Sequence, residues 1–270
     1  MNRSLSASLR VACGLFVLAG AAFAQDSLVN GTFTSPLTTG WTVQGTATIV
    51  GAQGSIVPPT GANQVQIASG TDVDQFDGAP NTQAFPDVSI AGLETALNIP
   101  STATITAALP SVYGTPAYGS AIYQTFTALA GATLTFNWNF ATNETVHVNL
   151  DDAALYTLQA PGAATAQVFD LADNSSAFTF QATTGTTLFQ QMTGYSTKTI
   201  ILPTAGTYTL GFIALQTTDD NKSSATYIND VTLTGGTPRP TPVPAAWSLG
   251  LLGFAFIATY SVVRRLRRVS

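Results

Sequence analysis

The sequence predicts an all-β fold: a single β-sandwich with one short helix, flanked by a signal peptide and a C-terminal membrane-crossing helix. Three observations carry this. Apolar and polar residues alternate along short runs of the body, turn-forming residues separate those runs, and an uninterrupted apolar stretch stands at each end of the chain. Alternation with a period of two puts one face of a strand toward a core and the other toward water.

The chain opens "MNRSLSASLRVACGLFVLAGAAFAQDS". Arg3 and Arg10 supply positive charge, Val11–Ala22 is apolar, and Ala22-Phe23-Ala24 forms a small-x-small cleavage site. This reads as a secretory signal peptide over 1–24. Its apolar run is too short to span a bilayer.

The body, 25–236, follows. In "ATLTFNWNF" (132–140), Leu134, Phe136, Trp138 and Phe140 share one face, and Thr133, Thr135, Asn137 and Asn139 the other. "WTVQGTATI" (41–49), "TVHVNL" (145–150), "FTFQA" (178–182), "TYTLGF" (207–212) and "TYINDVTL" (226–233) read likewise, with Gly, Pro, Asn and Asp between them. Many short antiparallel strands at this spacing predict a sandwich. On the same alternation, Trp41 and Trp138 belong to the core, and Tyr227, Asn229, Val231 and Leu233 share a face. Ser69–Gly119 reads as a long, partly irregular insertion, in which the Leu93-to-Leu97 spacing suits one short helix ended by Pro100.

Residues 237–244 are a Pro-rich, extended linker. Ala245–Val263 then runs nineteen residues without a charge. As a helix it rises about 28 Å, against a hydrocarbon core of roughly 30 Å. Trp247 and Tyr260 stand near its ends, and Arg264, Arg265, Arg267 and Arg268 follow within 264–270. The arginines belong in the cytoplasm and the body outside, in agreement with the signal peptide.

Charge narrows the partners. Of nine Lys and Arg, two lie in the signal and four in the tail, leaving Lys198, Lys222 and Arg239 against all fourteen Asp and Glu. Three positive and fourteen negative groups give the exported part a net charge of −11. Such a surface repels nucleic acid and anionic lipid. Cys13, the one cysteine, lies in the signal peptide. No disulfide or thiolate metal site is expected in the exported body.

Candidate sites come from the remaining polar and aromatic groups. Glu144 lies in the turn after the Trp138 strand, Asp151 and Asp152 end the next strand, and Asp219 and Asp220 lie in a loop; neighbouring loops of a sandwich can bring such groups together as the oxygen set a structural calcium takes. Tyr113, Tyr118 and Tyr195 stand in loop-like sequence, where a ring is free to stack on the apolar face of a sugar. His147 is the only histidine, and no nucleophile elbow, zinc-protease helix or phosphate loop is present. The sequence therefore points away from an enzyme and requires no cofactor beyond an optional calcium.

Two resemblances add to this. Pro242, Val243 and Pro244, the apolar span and the arginine cluster together resemble the PEP-CTERM class of sorting signals, although the usual motif has Glu between the prolines. That resemblance implies recognition and processing by an exosortase-like enzyme, an inner-membrane precursor, and a bacterium that makes exopolysaccharide. "LVNGTFTSPLTTGWTVQGTATIV" (28–50) is similar to the first strands of jelly-roll domains of the carbohydrate-binding-module type. Sugar-binding relatives often hold calcium through an acidic residue after Asn-Gly-x-Phe and an Asp near the last strand. Thr34 and Asn229 stand in those places here, so that site is expected to be lost. The combined expectation is an exported surface or matrix protein, structural or adhesive in an exopolysaccharide-rich envelope or biofilm. The alternative is a module that binds an extracellular polysaccharide, and the third reading is a glycoside hydrolase.

Overall fold

In the computed structural model, which describes residues 28–70, 87–109, 115–143, 152–173, 180–185, 188–217 and 224–237, the first alternating run does not stay in one sheet. Gly45 takes φ 73° and breaks it into β1 (Thr42–Gln44) and β2 (Ala47–Val50), which join opposite sheets. The chain continues through β3 (Gln64–Ala68), β4 (Val88–Ser89), α1 (Ile90–Leu97), α2 (Thr102–Ala108), β5 (Tyr118–Ala128), β6 (Ala130–Thr142) and β7 (Ala153–Gln159). β8 (Gln167–Asp173), β9 (Gln181–Ala182), β10 (Gln191–Met192), β11 (Ser196–Leu202), β12 (Gly206–Gln216) and β13 (Ser224–Thr237) complete it. All described residues belong to one unit, Phe23–Arg239. The signal peptide, apolar tail and Arg-rich end lie outside them, as do Pro242, Val243 and Pro244 and the "TVHVNL" run. Among the described residues no helix is long and apolar enough to cross a membrane.

Two antiparallel sheets face each other. The first has the order β1-β5-β12-β7-β8, with β4 also on β5; the second has β2-β3-β13-β6-β10-β9, with β11 also on β6. Between them lies the main core, where Leu134, Phe136, Trp138 and Phe140 all point inward as their alternation predicts. Phe212 on β12 meets Phe136 edge-on at 4.8 Å and Trp41 at 6.0 Å. Trp41 in turn donates its indole N–H to the carbonyl of Asn30 at 3.2 Å, so the polar end of a buried ring is satisfied. Both tryptophans are core residues.

The insertion contains two helices, where the sequence reading has one. Ser89 caps α1 by accepting the Gly92 N–H, and Asn98 closes it in the left-handed region at φ 54°. Beyond Pro100, α2 mixes three Thr and one Ile with three Ala, and seven residues are too few to hold a helix without tertiary support. It folds because Ile105 and Leu109 join Leu93 and Leu97 in a second core against Ala121, Leu155, Ile213 and Leu215 on the outer face of the first sheet. Burial of that face supplies the support. Close approach depends on Gly211: a Cβ there would stand 2.5 Å from Thr157 Oγ1 and 2.6 Å from Leu97 Cδ2. The helix thus rests directly on strand backbone.

On the outer face of the second sheet, the chain before β3 and that around Phe189 cover a third core of Ile56, Phe189, Met192, Ala225 and Tyr227. The expected common face of Tyr227, Asn229, Val231 and Leu233 is not observed. Asp230 takes φ 51°, and the register of β13 against β6 shifts between Asn229 and Thr232. This bulge leaves Tyr227 in the outer core and turns Val231 into the main one.

Candidate functional site

One end of the sandwich gathers Ala68, Tyr118, Thr142, Ala153, Asp173, Gln216 and Ser224, each the first or last residue of its strand. The registers bring them together: Gln216 lies opposite Tyr118, Asp173 opposite Ala153, and Ser224 opposite Thr142. Residues flanking segments 71–86, 144–151, 174–179 and 218–223 all stand at this end. The segments themselves, with Glu144, Asp151, Asp219 and Asp220, lie outside the described residues, as does Tyr113.

Asp152 is fully buried here, whereas a turn carboxylate would ordinarily be solvated. Its Oδ2 accepts from the Ser69 hydroxyl at 2.9 Å and its Oδ1 from the Thr217 N–H at 3.4 Å. The Ser69 hydroxyl accepts in turn from the Ser224 N–H at 2.9 Å. The carboxylate therefore pins the foot of β7 to both sheets, a structural use of its lone pairs.

Beside it, the space a side chain at Gly70 would take is filled by the Gln216 amide: a Cβ would stand 1.8 Å from Gln216 Oε1 and 3.4 Å from Asp87 Oδ2, so Gln216 would have to move. The Gln216 amide and the Asp87 carboxylate thus converge over bare backbone. Tyr118 lies next to them, paired with Gln216 on one side and with Ser89, two residues after Asp87, on the other. Its ring is 45 % exposed. Among the described residues, the exposed large apolar side chains are Val29, Val57, Tyr118, Leu188 and Ile201, and of these only Tyr118 is aromatic.

Tyr195 is placed differently. Its hydroxyl donates to Gln64 Oε1, its ring packs against the third core, and burial pushes its hydroxyl pKa up. With both ring and hydroxyl engaged inside the protein, it offers no stacking platform.

Residues 28–39 and the second half of β13 line an open cleft of about 550 Å³ with threonine hydroxyls and without a charged side chain. Of the two positions where the sequence analysis expects a lost calcium site, Thr34 lines this cleft and Asn229 does not, and neither carries a carboxylate. Thr34 is exposed. Asn229 donates to the carbonyls of Thr60 and Asn63 at 2.9 and 2.8 Å and accepts from the Thr60 hydroxyl at 2.7 Å. No three acidic, His or Cys side chains among the described residues stand close enough together to hold a metal.

One group escaped the sequence reading. Asp170, on β8, has a buried Oδ1 without a hydrogen-bond partner. Burial, reinforced by the charge of Asp173, pushes its carboxyl up to about 7, while the Leu171 backbone N–H works in the opposite direction. Its signal in "QVFDLAD" is a carboxylate placed two residues from Val168, in step with an apolar face.

No family model matches the sequence, and no curated protein does. Among solved structures the chain is similar to the carbohydrate-binding module TmCBM61 in complex with β-1,4-galactotriose, with a TM-score of 0.41 and 11% identity over 78% of this chain and 99% of that one. It is similar to a family 11 carbohydrate-binding module from Clostridium thermocellum in complex with a β-1,3-1,4-mixed-linked tetrasaccharide, with a TM-score of 0.30 and 8% identity over 80% of this chain and 99% of that one. It also resembles the cleaved adhesin domain of Lys-gingipain from Porphyromonas gingivalis, with a TM-score of 0.33 and 12% identity over 73% and 99% of the two chains. The likeness is one of β-sandwich architecture and assigns no ligand to this chain.

Proposed function

We propose that this protein is an exported surface or matrix protein that binds an extracellular polysaccharide at the Tyr118 end of its sandwich. The observation that carries the reading is the exposed Tyr118 ring standing beside Asp87 and Gln216. A ring offers a flat apolar surface for a pyranose, and the half-buried Asp87 carboxylate offers acceptors for its hydroxyl groups, with the fully buried Gln216 amide lying behind them. This role is one of binding, with no bond made or broken by the protein. Affinity electrophoresis against a panel of neutral, acidic and basic polysaccharides tests it. At least one member is expected to retard the protein, and Tyr118→Ala is expected to weaken that interaction about tenfold or more without lowering the melting temperature. No retardation by any polysaccharide, or equal retardation of the variant, contradicts the reading.

We further propose that the C-terminal tail is a sorting signal that an exosortase-like enzyme removes, after which the sandwich is released or joined to another carrier at the cell surface. The order of Pro242, Val243, Pro244, apolar span and arginines supports this. An intact mass of the protein recovered from its host surface is expected to end near Pro244. A mass running to Ser270 means a permanent anchor.

A further inference from the structure

We propose that Asp170 makes the docking of the helical cover onto the first sheet depend on a proton: α2 is held when the carboxyl is protonated and loosens when it is ionised. The inference is independent of any ligand. Val168, two residues before Asp170 on β8, packs into the helix-covered core, and α2 lies over β8. Asp170 pairs with Leu155, another member of that core, and so shares the face. The register then slips between Ala154 and Leu155, with Leu171 as the extra residue on β8, and Asp173 returns opposite Ala153 on the same face. Two carboxylates, one fully buried and one with an enclosed and unpartnered oxygen, therefore stand beneath a helical layer.

Nothing cationic among the described residues faces them. α2 contributes only Thr, Ala and Ile; α1 contributes Glu94, which already accepts from the Thr102 hydroxyl at 2.6 Å. β7 presents Ala153, Leu155 and Thr157 on this face, while its Tyr156 turns into the main core. Asp152, at the foot of β7, is bound to Ser69 and Thr217. Lys198, the one basic residue described, lies over the Tyr156 ring at 5.5 Å from its centroid, and so on the interior side of the sheet. An ionised Asp170 thus meets an apolar cover and a like charge, which is the costly combination for a carboxylate.

The sign follows from proton linkage. The folded carboxyl holds its proton up to about pH 7, whereas the undocked one releases it near the ordinary Asp value. Between those limits the docked form binds more protons, so docking weakens as pH rises from about 4 to about 7 and changes little above that.

Hydrogen–deuterium exchange of the full-length chain, corrected for intrinsic rates, reads this directly. Protection of 90–109 is expected to fall at least tenfold between about pH 5 and about pH 8, while that of β6 and β12 holds. Asp170→Asn is expected to abolish the fall, and Asp173→Asn to move its midpoint toward the ordinary carboxylate range. Equal protection of the wild-type helices at both pH values overturns the proposal. So does a fall that persists in Asp170→Asn, or a midpoint that Asp173→Asn leaves in place.

Discussion

Phe212→Ala is expected to destabilise the sandwich by about 3–5 kcal/mol, the largest single-residue effect anticipated here. Phe212 is fully buried at the centre of β12, where a ring from the facing sheet and one from the N-terminal segment converge on it: Phe136 from β6 and Trp41 from the entry to β1. Truncation removes the transfer energy of the ring and leaves a void that strand-borne neighbours cannot close without moving a sheet. For a domain of this size, each kcal/mol corresponds to about 2–4 °C in melting temperature, so a fall of roughly 6–20 °C is expected in a thermal melt. Phe212→Leu, which refills most of the space, should recover much of the loss. A melt of Phe212→Ala within a degree or two of wild type would show that the two sheets do not close on one shared core.

Asn229→Leu should cost about 1–3 kcal/mol for a different reason. The Asn229 amide satisfies two carbonyl oxygens, those of Thr60 and Asn63, and receives the Thr60 hydroxyl. Those partners lie on the chain leading into β3, which also carries Ile56 into the outer core. Leucine has the volume but none of the bonds, so the part-buried carbonyls of Thr60 and Asn63 lose their donor and the Thr60 hydroxyl its acceptor, where water restores the bonds only in part. Limited proteolysis should therefore open the region of 51–63 before the sheets yield. Asn229→Asp discriminates further, because it sets a carboxylate against the same two carbonyls and should be destabilising at neutral pH. If millimolar calcium instead stabilised Asn229→Asp well above wild type, the assignment of this position to hydrogen bonding rather than to a residual ion site would be wrong.

The sandwich and much of its core were legible from periodicity. Wherever a strand is buried on one face and continuous, as around Trp138, alternation named the inward residues correctly. It failed where backbone conformation interrupts the count. Gly45 sends one apparent strand into two sheets, and Asp230 reverses the faces of β13; both take positive φ, and a polarity pattern carries no record of a residue inserted or turned. α2 was hidden for another reason, since a seven-residue segment folds as a helix only when a sheet face is available to cover.

The candidate site was legible in parts. Tyr118 was singled out as a platform, but loop-like sequence did not separate it from Tyr195, whose ring and hydroxyl are both engaged inside the protein. Asp152 carried the right chemistry for an ion and is spent on tying two sheets together. Gln216 and Asp87 are far apart in sequence and meet only because β12 and β4 both pair with β5. No local motif encodes that convergence.

The proposal that the Tyr118 end binds sugar is tested most directly by mapping the contact. With an oligosaccharide taken from whichever polysaccharide retards the protein, exchange protection on binding should concentrate at 69–70, 87–89, 115–120 and 215–217. Protection confined instead to the threonine-lined cleft of 28–39 and 231–234, or spread over the sheet faces with this end unchanged, would contradict the account.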